Sequence, residues 1–418
     1  MDLLSREIEL DWHPDACARV PYAVYTDRAI YERELERFFY HSHWCYVGLE
    51  CEIPNPGDFK RTAIGERDVI VVRDKSGAVN VVENRCAHRG VQFCQQAFGQ
   101  TKTFVCPYHQ WSYDLRGNLI GLPFRKGVKQ GEKINGGMPP YFELGDHALT
   151  TLAVESWNGV LFASFDRDIA PLRSFVGPEV GRYMDRIFDG RELTLLGYSR
   201  QRIPGNWKLM QENIKDPYHP GLLHTWFVTF GLWRADQQSE MIVDARGRHA
   251  AMVSRKNDGG KSDAVTSGVT SFKENMVLQD KRVLDVVIEP WWNGPTVTML
   301  TLFPSLIVQQ QVNSLSTRQI IPTGTDSFDF VWTHFGFKED TEEMTRRRLR
   351  QANLFGPAGY VSADDGEVIE LSQRGFAQHG ELATVCELDG RGMGGADHNV
   401  TETLIRSMYG YYREVMEL

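Results

Sequence analysis

Apolar positions recur along this chain in two different rhythms. Over residues 27–42, DRAIYERELERFFYHS, the residues Ile30, Leu35, Phe38 and Phe39 fall at helical spacing behind Asp27, a residue suited to cap the free N–H groups of a helix. From about residue 45 to 165 the rhythm shortens to strands broken by turns. VIVVRD and AVNVVE flank the turn DKSG, and WSYD and LIGL flank LRGN, so each pair predicts a hairpin. ESWNGVLFASF closes this β region, and IAPLRSFVGPEVGRYMDRIF then predicts helix. Beyond it LTLLGYSRQRI, VLDVVIEP, TVTMLTLF, SLIVQQQV and FDFVWTHFGF read as strands, followed by helices at about 340–355, 363–376 and 399–416. Strands that follow one another without intervening helices predict a mostly antiparallel sheet flanked by helices. The expected fold class is therefore α+β, with an all-β domain at 45–165, an α+β domain at 166–418, and a 1–44 arm and helix packing on the latter.

Composition and charge narrow the partners. With 42% hydrophobic and 24% charged residues the chain resembles a soluble globular protein, and no apolar run is long enough to span a bilayer. The acidic start MDLLSREIELDWHPD is unlike a secretory signal, which makes a cytoplasmic location the expectation. A formal charge of −9 argues against nucleic acid. The run Arg346, Arg347, Arg348 reads as the solvated face of a helix. Seven cysteines, at 17, 45, 51, 86, 94, 106 and 386, are too few and too scattered for a disulfide framework, and Cys94 reads as packing.

Two of those cysteines sit beside histidines. Cys86-Ala87-His88-Arg89-Gly90 and Cys106-Pro107-Tyr108-His109 write as C-x-H, seventeen residues, then C-x2-H. Tetrahedral zinc is one occupant for two thiolates and two imidazoles, but zinc loops usually pair like ligands. One Cys and one His per loop suits a [2Fe-2S] cluster with thiolates on one iron and imidazoles on the other. CAHRG and CPYHQW resemble the two half-motifs of the Rieske family.

A second constellation follows in NWKLMQENIKDPYHPGLLH: Asp216, His219 and His224. Histidines five apart on a straight helix point about 140° away from each other, so they can share a metal only if the helix breaks between them, as Pro220 and Gly221 would make it do. Two His and one carboxylate with open positions form the facial triad of non-haem Fe(II) oxygenases. The pattern E-N-x2-D-x2-H-x4-H is similar to that of ring-hydroxylating Rieske oxygenase large (alpha) subunits, and FGPAG followed by Asp364-Asp365 resembles the segment that donates their carboxylate. The resemblance implies His219, His224 and Asp365 as ligands of a mononuclear Fe(II), with Asp364 and then Glu367 as alternatives. Asp216, one turn from His219, can orient that imidazole. The resemblance further implies that Asp216 links Rieske His109 of one subunit to His219 of the next, with Asn213 near the iron and no role for Glu212.

Gly390-Arg391-Gly392-Met393-Gly394-Gly395 satisfies G-x-G-x-x-G, but too little chain follows to build a dinucleotide fold, so it reads as a loop. Asn399-Val400-Thr401 is a sequon without meaning in a cytosolic protein. With no flavin or nicotinamide fingerprint, electrons are expected from a separate [2Fe-2S] ferredoxin and an NAD(P)H-dependent reductase.

The resemblance runs over nearly the whole chain. HWCYVGLE, IPNPGDFKR and FGPAGYVSADDGEVIE look closest to large subunits of salicylate 5-hydroxylases and anthranilate dioxygenases. That implies hydroxylation of an ortho-substituted benzoate with O2, salicylate to gentisate first and anthranilate to catechol second, in an assembly of three α with three small β subunits. Strand alternation puts Gln309, Gln311 and Asn313 on one face, and Gln311 is the expected substrate contact. An electron carrier would need only the β domain; a demethylating Rieske monooxygenase would share both metal motifs and differ in its products.

Overall fold

The computed structural model describes residues 10, 12, 16–255 and 269–418. Most of the first fifteen residues of the expected arm lie outside the described residues. The chain divides into two compact units, residues 39–169 and residues 1–38 with 170–418.

Unit 39–169 is built from short antiparallel strands. Both expected hairpins are present: Arg67–Arg73 pairs with Val79–Glu83, and Ser112–Tyr113 with Leu119–Gly121. Ala153–Trp157 and Val160–Ser164 form the closing hairpin, and Val160–Ser164 also pairs with Cys45–Leu49. Phe59, Ile70, Val82, Phe104, Trp111 and Tyr113 fill one core, and Cys86, Cys94 and Cys106 are buried in it.

The second unit carries a seven-stranded sheet. Its strands are β1 (Leu193–Ile203), β2 (Ser239–Val243), β3 (Ala250–Ser254), β4 (Val297–Leu302), β5 (Leu306–Gln311), β6 (Ser314–Gly324) and β7 (Ser327–Phe337). The order is β1-β7-β6-β5-β4-β3-β2, antiparallel at every pairing. Strand alternation assigns the faces. Lys215, at the end of helix α1 (Trp207–Lys215), donates to Thr301 on one face at 2.6 Å. Arg186, from the helix Pro178–Ile187, donates to Thr298 and Gln310 on the other, at 3.1 and 3.0 Å. Helices α2 (Glu342–Phe355), α3 (Ser362–Gln378) and α4 (Thr403–Met416) follow. The early helix Arg28–Glu34 begins at Asp27, whose carboxylate accepts from Ala29 and Ile30 at 2.7 and 3.0 Å.

Three expectations are corrected. VLDVVIEP is not a strand: it holds a single 3-10 turn at Lys281–Leu284, and another begins at Pro290. Its backbone is paired by a side chain instead, since the Asn313 amide both accepts from the Val287 N–H and donates to the Val287 carbonyl, at 3.0 and 2.7 Å. Asn313 therefore leaves the face of Gln309 and Gln311. The chain turns at Val312, φ 48°, after β5 has ended. The arginine run is not one solvated face either. Arg346 is exposed, whereas Arg347 and Arg348 are buried, because consecutive helical residues point about 100° apart. Strands β2, β3 and β6 were missed; β6 reads SLSTRQIIPTG, polar in sequence yet mostly buried.

Candidate active site

The two Cys/His loops of unit 39–169 are closed by the same hydrogen bonds. Cys86 donates its N–H to Val91 and accepts from Gly90, each at 2.9 Å; Cys106 donates to Trp111 and accepts from Gln110, each at 2.9 Å. In both loops the residue four past the cysteine has positive φ, 72° at Gly90 and 56° at Gln110, which reverses the chain and brings the histidine round. Both sulfurs are buried and both imidazoles are half-exposed. The His88 and His109 rings meet with centroids 4.6 Å apart, and His88 stacks on Trp111. Tyr113 braces the first loop, its hydroxyl accepting from Ala87 and lying 3.3 Å from Cys86 Sγ. Nδ1 of His88 and Nδ1 of His109 are both buried without a hydrogen-bond partner. Orphaned nitrogens beside two buried thiols are what a metal cluster would satisfy.

The second cluster is local in origin. Helix α1 ends at Lys215, and Asp216 accepts from the N–H groups of Tyr218 and His219 at 3.0 and 3.1 Å. A new turn, Pro220–Leu223, begins after His219 and ends before His224, so the histidines occupy its two ends. Pro220 starts this turn rather than breaking it, its ring suiting a first helical position. Gly221 is needed for packing: a Cβ there would come within 2.1 Å of the Trp233 ring.

Asp365, in the first turn of α3, completes the group. The ligand atoms of His219, His224 and Asp365 all lie within 4.8 Å of one another, and theirs is the one such cluster found among the described residues. His224 Nε2 is 3.2 Å and His219 Nε2 3.5 Å from Asp365 Oδ1, and Asn213 donates to the same oxygen at 3.0 Å. Each imidazole turns its other nitrogen toward a second carboxylate: His224 Nδ1 is 3.2 Å from Asp364, and His219 Nδ1 is 3.6 Å from Asp216. The latter is just beyond hydrogen-bond distance. Asp364 thus lies behind His224 rather than in the cluster, and Glu367 is exposed. Burial alone would raise the Asp365 carboxyl, but His219 and His224 outweigh it and hold it below the usual range. Three ligands from two elements, each imidazole backed by a carboxylate, fit a facially bound metal with open positions.

The cluster lines a cavity of about 730 Å³ including its mouth, a size typical of small-molecule sites. Its floor is the sheet, where one rung reads Met241, Met252, Met299, Gln309, Ser316, His334. Gln311 also lines it, whereas Gln310 points to the other face and accepts from Arg186. Gln309 donates to the Gln311 side-chain oxygen Oε1, and no hydrogen bond of the Gln311 amide nitrogen is found among the described residues. Trp233, Arg318 and Asn399 are lining residues that the sequence reading missed. Arg318 lay in an unrecognised strand, and Asn399 was visible only as a sequon. The glycine-rich loop at 390–395 is tied down instead, by Arg406 donating to the Gly392 carbonyl and Gly394 donating to Ser407.

Residues 43–132 match the Rieske [2Fe-2S] domain, and residues 188–418 match the catalytic domain of the ring-hydroxylating alpha subunits. The chain belongs to that family of Rieske non-haem iron oxygenases, whose cofactors are a Rieske [2Fe-2S] cluster and a mononuclear iron. It is 64% identical to the salicylate 5-hydroxylase large oxygenase component of Ralstonia sp., over 97% of this chain and 96% of that one. It is 41% identical to the anthranilate 1,2-dioxygenase large subunit of Burkholderia cepacia, over 97% and 94%. In fold it is similar to naphthalene 1,2-dioxygenase of Rhodococcus sp., with a TM-score of 0.76 at 23% identity over 95% of this chain and 94% of that one. Among the described residues no helix is long and apolar enough to cross a membrane.

Proposed function

We propose that this chain is the large subunit of a salicylate 5-hydroxylase, converting salicylate to 2,5-dihydroxybenzoate (gentisate). One oxygen atom of O2 enters the ring para to the phenol and the other leaves as water, with two electrons and two protons consumed. The likeness to the Ralstonia large oxygenase component over nearly its full length carries this reading. An apolar, Met-floored cavity with a few polar groups is consistent with a single-ring acid.

Cys86, His88, Cys106 and His109 would hold the Rieske cluster, and His219, His224 and Asp365 the iron. When bound, these groups supply electron storage and O2 activation. The protein's own part is positioning: Asp364 and Asp216 orient the imidazoles, Asn213 fixes Asp365, and the methionine floor keeps water from the ring. Gln311 would donate its amide N–H to the substrate, so Gln311→Leu should raise KM or shift the position of hydroxylation. Asp216 would also face His109 of a neighbouring subunit, within an assembly of three α and three β chains served by a [2Fe-2S] ferredoxin and an NAD(P)H-dependent reductase.

Product analysis under labelled O2, with the electron-transfer chain reconstituted, tests the reaction. Singly labelled gentisate from salicylate is the expected result. Catechol from anthranilate, with little gentisate, would favour the second reading, anthranilate dioxygenation, which rests on the 41% identity.

A further inference from the structure

The turn that carries the two histidines has little internal support. It spans only Pro220–Leu223, and neither Pro217 nor Pro220 has a backbone N–H to give. One helical turn is marginal by itself, so its shape has to be held from outside. Two side chains from further along the chain do this. The Trp233 indole Nε1 donates to the Pro217 carbonyl at 3.0 Å in a buried bond, and no other hydrogen bond to that carbonyl occurs among the described residues. The Ser271 hydroxyl donates to the Gly221 carbonyl at 2.9 Å, also buried.

The indole also presses on the turn directly. Three carbons of its six-membered ring would lie 2.1, 2.2 and 2.8 Å from a Cβ at residue 221, so the ring rests on the bare glycine backbone. Trp233 thus grips the segment at two points: Pro217, just before His219, and Gly221, between His219 and His224. The residue is itself fixed. It is buried in the apolar cluster of Trp226, Phe227, Trp292 and Phe355, and its N–H donates to the Phe227 carbonyl at 3.1 Å. The same side chain lines the cavity beside Leu232 and Met241, whereas Ser271 is not among the residues lining it. One indole therefore joins the cavity wall to the backbone of the metal-binding turn.

We infer that Trp233 is a positioning residue that makes iron binding at His219, His224 and Asp365 depend on whether the cavity is filled. Packed interiors transmit small displacements, and here the wall and the turn share one rigid ring. An aromatic acid in the cavity holds that ring against Gly221, and the ring holds the turn in the shape that brings both imidazoles toward Asp365. By linkage the effect runs both ways, so a bound metal also favours a filled cavity. The choice of salicylate as the probe rests on the proposed function; the grip on the turn rests on Trp233 itself.

The test is an anaerobic Fe(II) titration of the complete oxygenase component, its Rieske cluster intact and its mononuclear iron removed, with and without saturating salicylate. In wild type, salicylate should tighten Fe(II) binding about 5- to 10-fold. Trp233→Phe keeps a ring beside Gly221 and removes the N–H donor. It should bind Fe(II) on the order of 10-fold more weakly, keep the Rieske visible spectrum, and show a salicylate effect below about 2-fold. A merely structural loss would lower both affinities and leave their ratio alone. Ser271→Ala loosens the turn away from the cavity wall, so it should weaken Fe(II) binding yet retain the salicylate effect. The inference is overturned if wild type shows no salicylate effect, if Trp233→Phe keeps it, or if Ser271→Ala loses it equally. Should wild type not bind salicylate at all, the proposed reaction falls, and Fe(II) affinity in Trp233→Phe alone decides the positioning role. Gentisate formation by an enzyme whose Fe(II) affinity ignores salicylate would do the reverse.

Discussion

At the scale of single residues, the two aspartates at the start of α3 divide the work between them. Asp365 is buried against both imidazoles, and Asp364 reaches only the far nitrogen of His224. Neighbours on a helix point about 100° apart, so both cannot enter one cluster. The D-D pair is plain in the sequence, but which member faces inward was chosen there by resemblance alone. If Asp364 orients His224, Asp364→Asn should weaken iron binding about 10- to 100-fold in a metal titration; an unchanged affinity would remove it from the site. Glu212, to which the sequence reading gave no role, is half-buried and accepts from the Tyr409 hydroxyl. Burial pushes its carboxyl up to about 7. A raised folded-state value means that the folded chain holds the proton more tightly. The stabilisation is complete below the ordinary carboxyl range and is lost as pH climbs through about 7. Glu212→Gln cannot titrate, so its stability relative to wild type should improve between about pH 5 and about pH 8 in denaturant melts. A constant difference would show that Glu212 does not titrate there.

At the scale of elements, helix α2 shows why a run of one residue type does not define a face. Arg346 is 69% exposed and pairs with Glu342, while Arg348 is 1% exposed and joins Glu289 to Asp340 beneath the helix. Charge in the sequence predicts exposure, and tertiary partners overturned it. Arg348→Met should cost about 3–5 kcal/mol by stranding two buried carboxylates, whereas Arg346→Ala should change stability by less than about 0.5 kcal/mol. Urea unfolding of both variants checks this, and equal effects would refute the distinction. The His219–His224 turn was legible for a similar local reason. Histidines five apart demand an interruption, and one was expected at Pro220-Gly221. The interruption falls instead at Asp216–His219 and again at His224, where capping hydrogen bonds end one turn and begin the next.

At the scale of the whole molecule, the proposed bridge through Asp216 makes turnover a property of the assembly. Asp216→Ala should retain the mononuclear iron and the Rieske spectrum yet lose nearly all turnover with the reconstituted chain; retained activity would refute the bridge. The two Cys/His loops and the His219–His224 pair were legible in the sequence because each lies within a short motif, whose spacing already limits which atoms can converge, whereas Asp365 joins the histidines only through the fold. Cys86 and His88, or His219 and His224, are neighbours before any folding occurs. The alternating runs likewise determined that the second unit would be built on an antiparallel sheet. What only the tertiary structure decided is the cavity. Met241, Met252, Met299, Gln309 and Ser316 come from five strands, three of them unrecognised in sequence, and become neighbours only through register. Arg318 looks like any polar residue of a polar segment until its guanidinium lies over Trp332 with Nε buried and without a hydrogen-bond partner. Spacing along the chain records which ligands can meet, whereas burial without a partner exists only once distant strands have closed over a side chain.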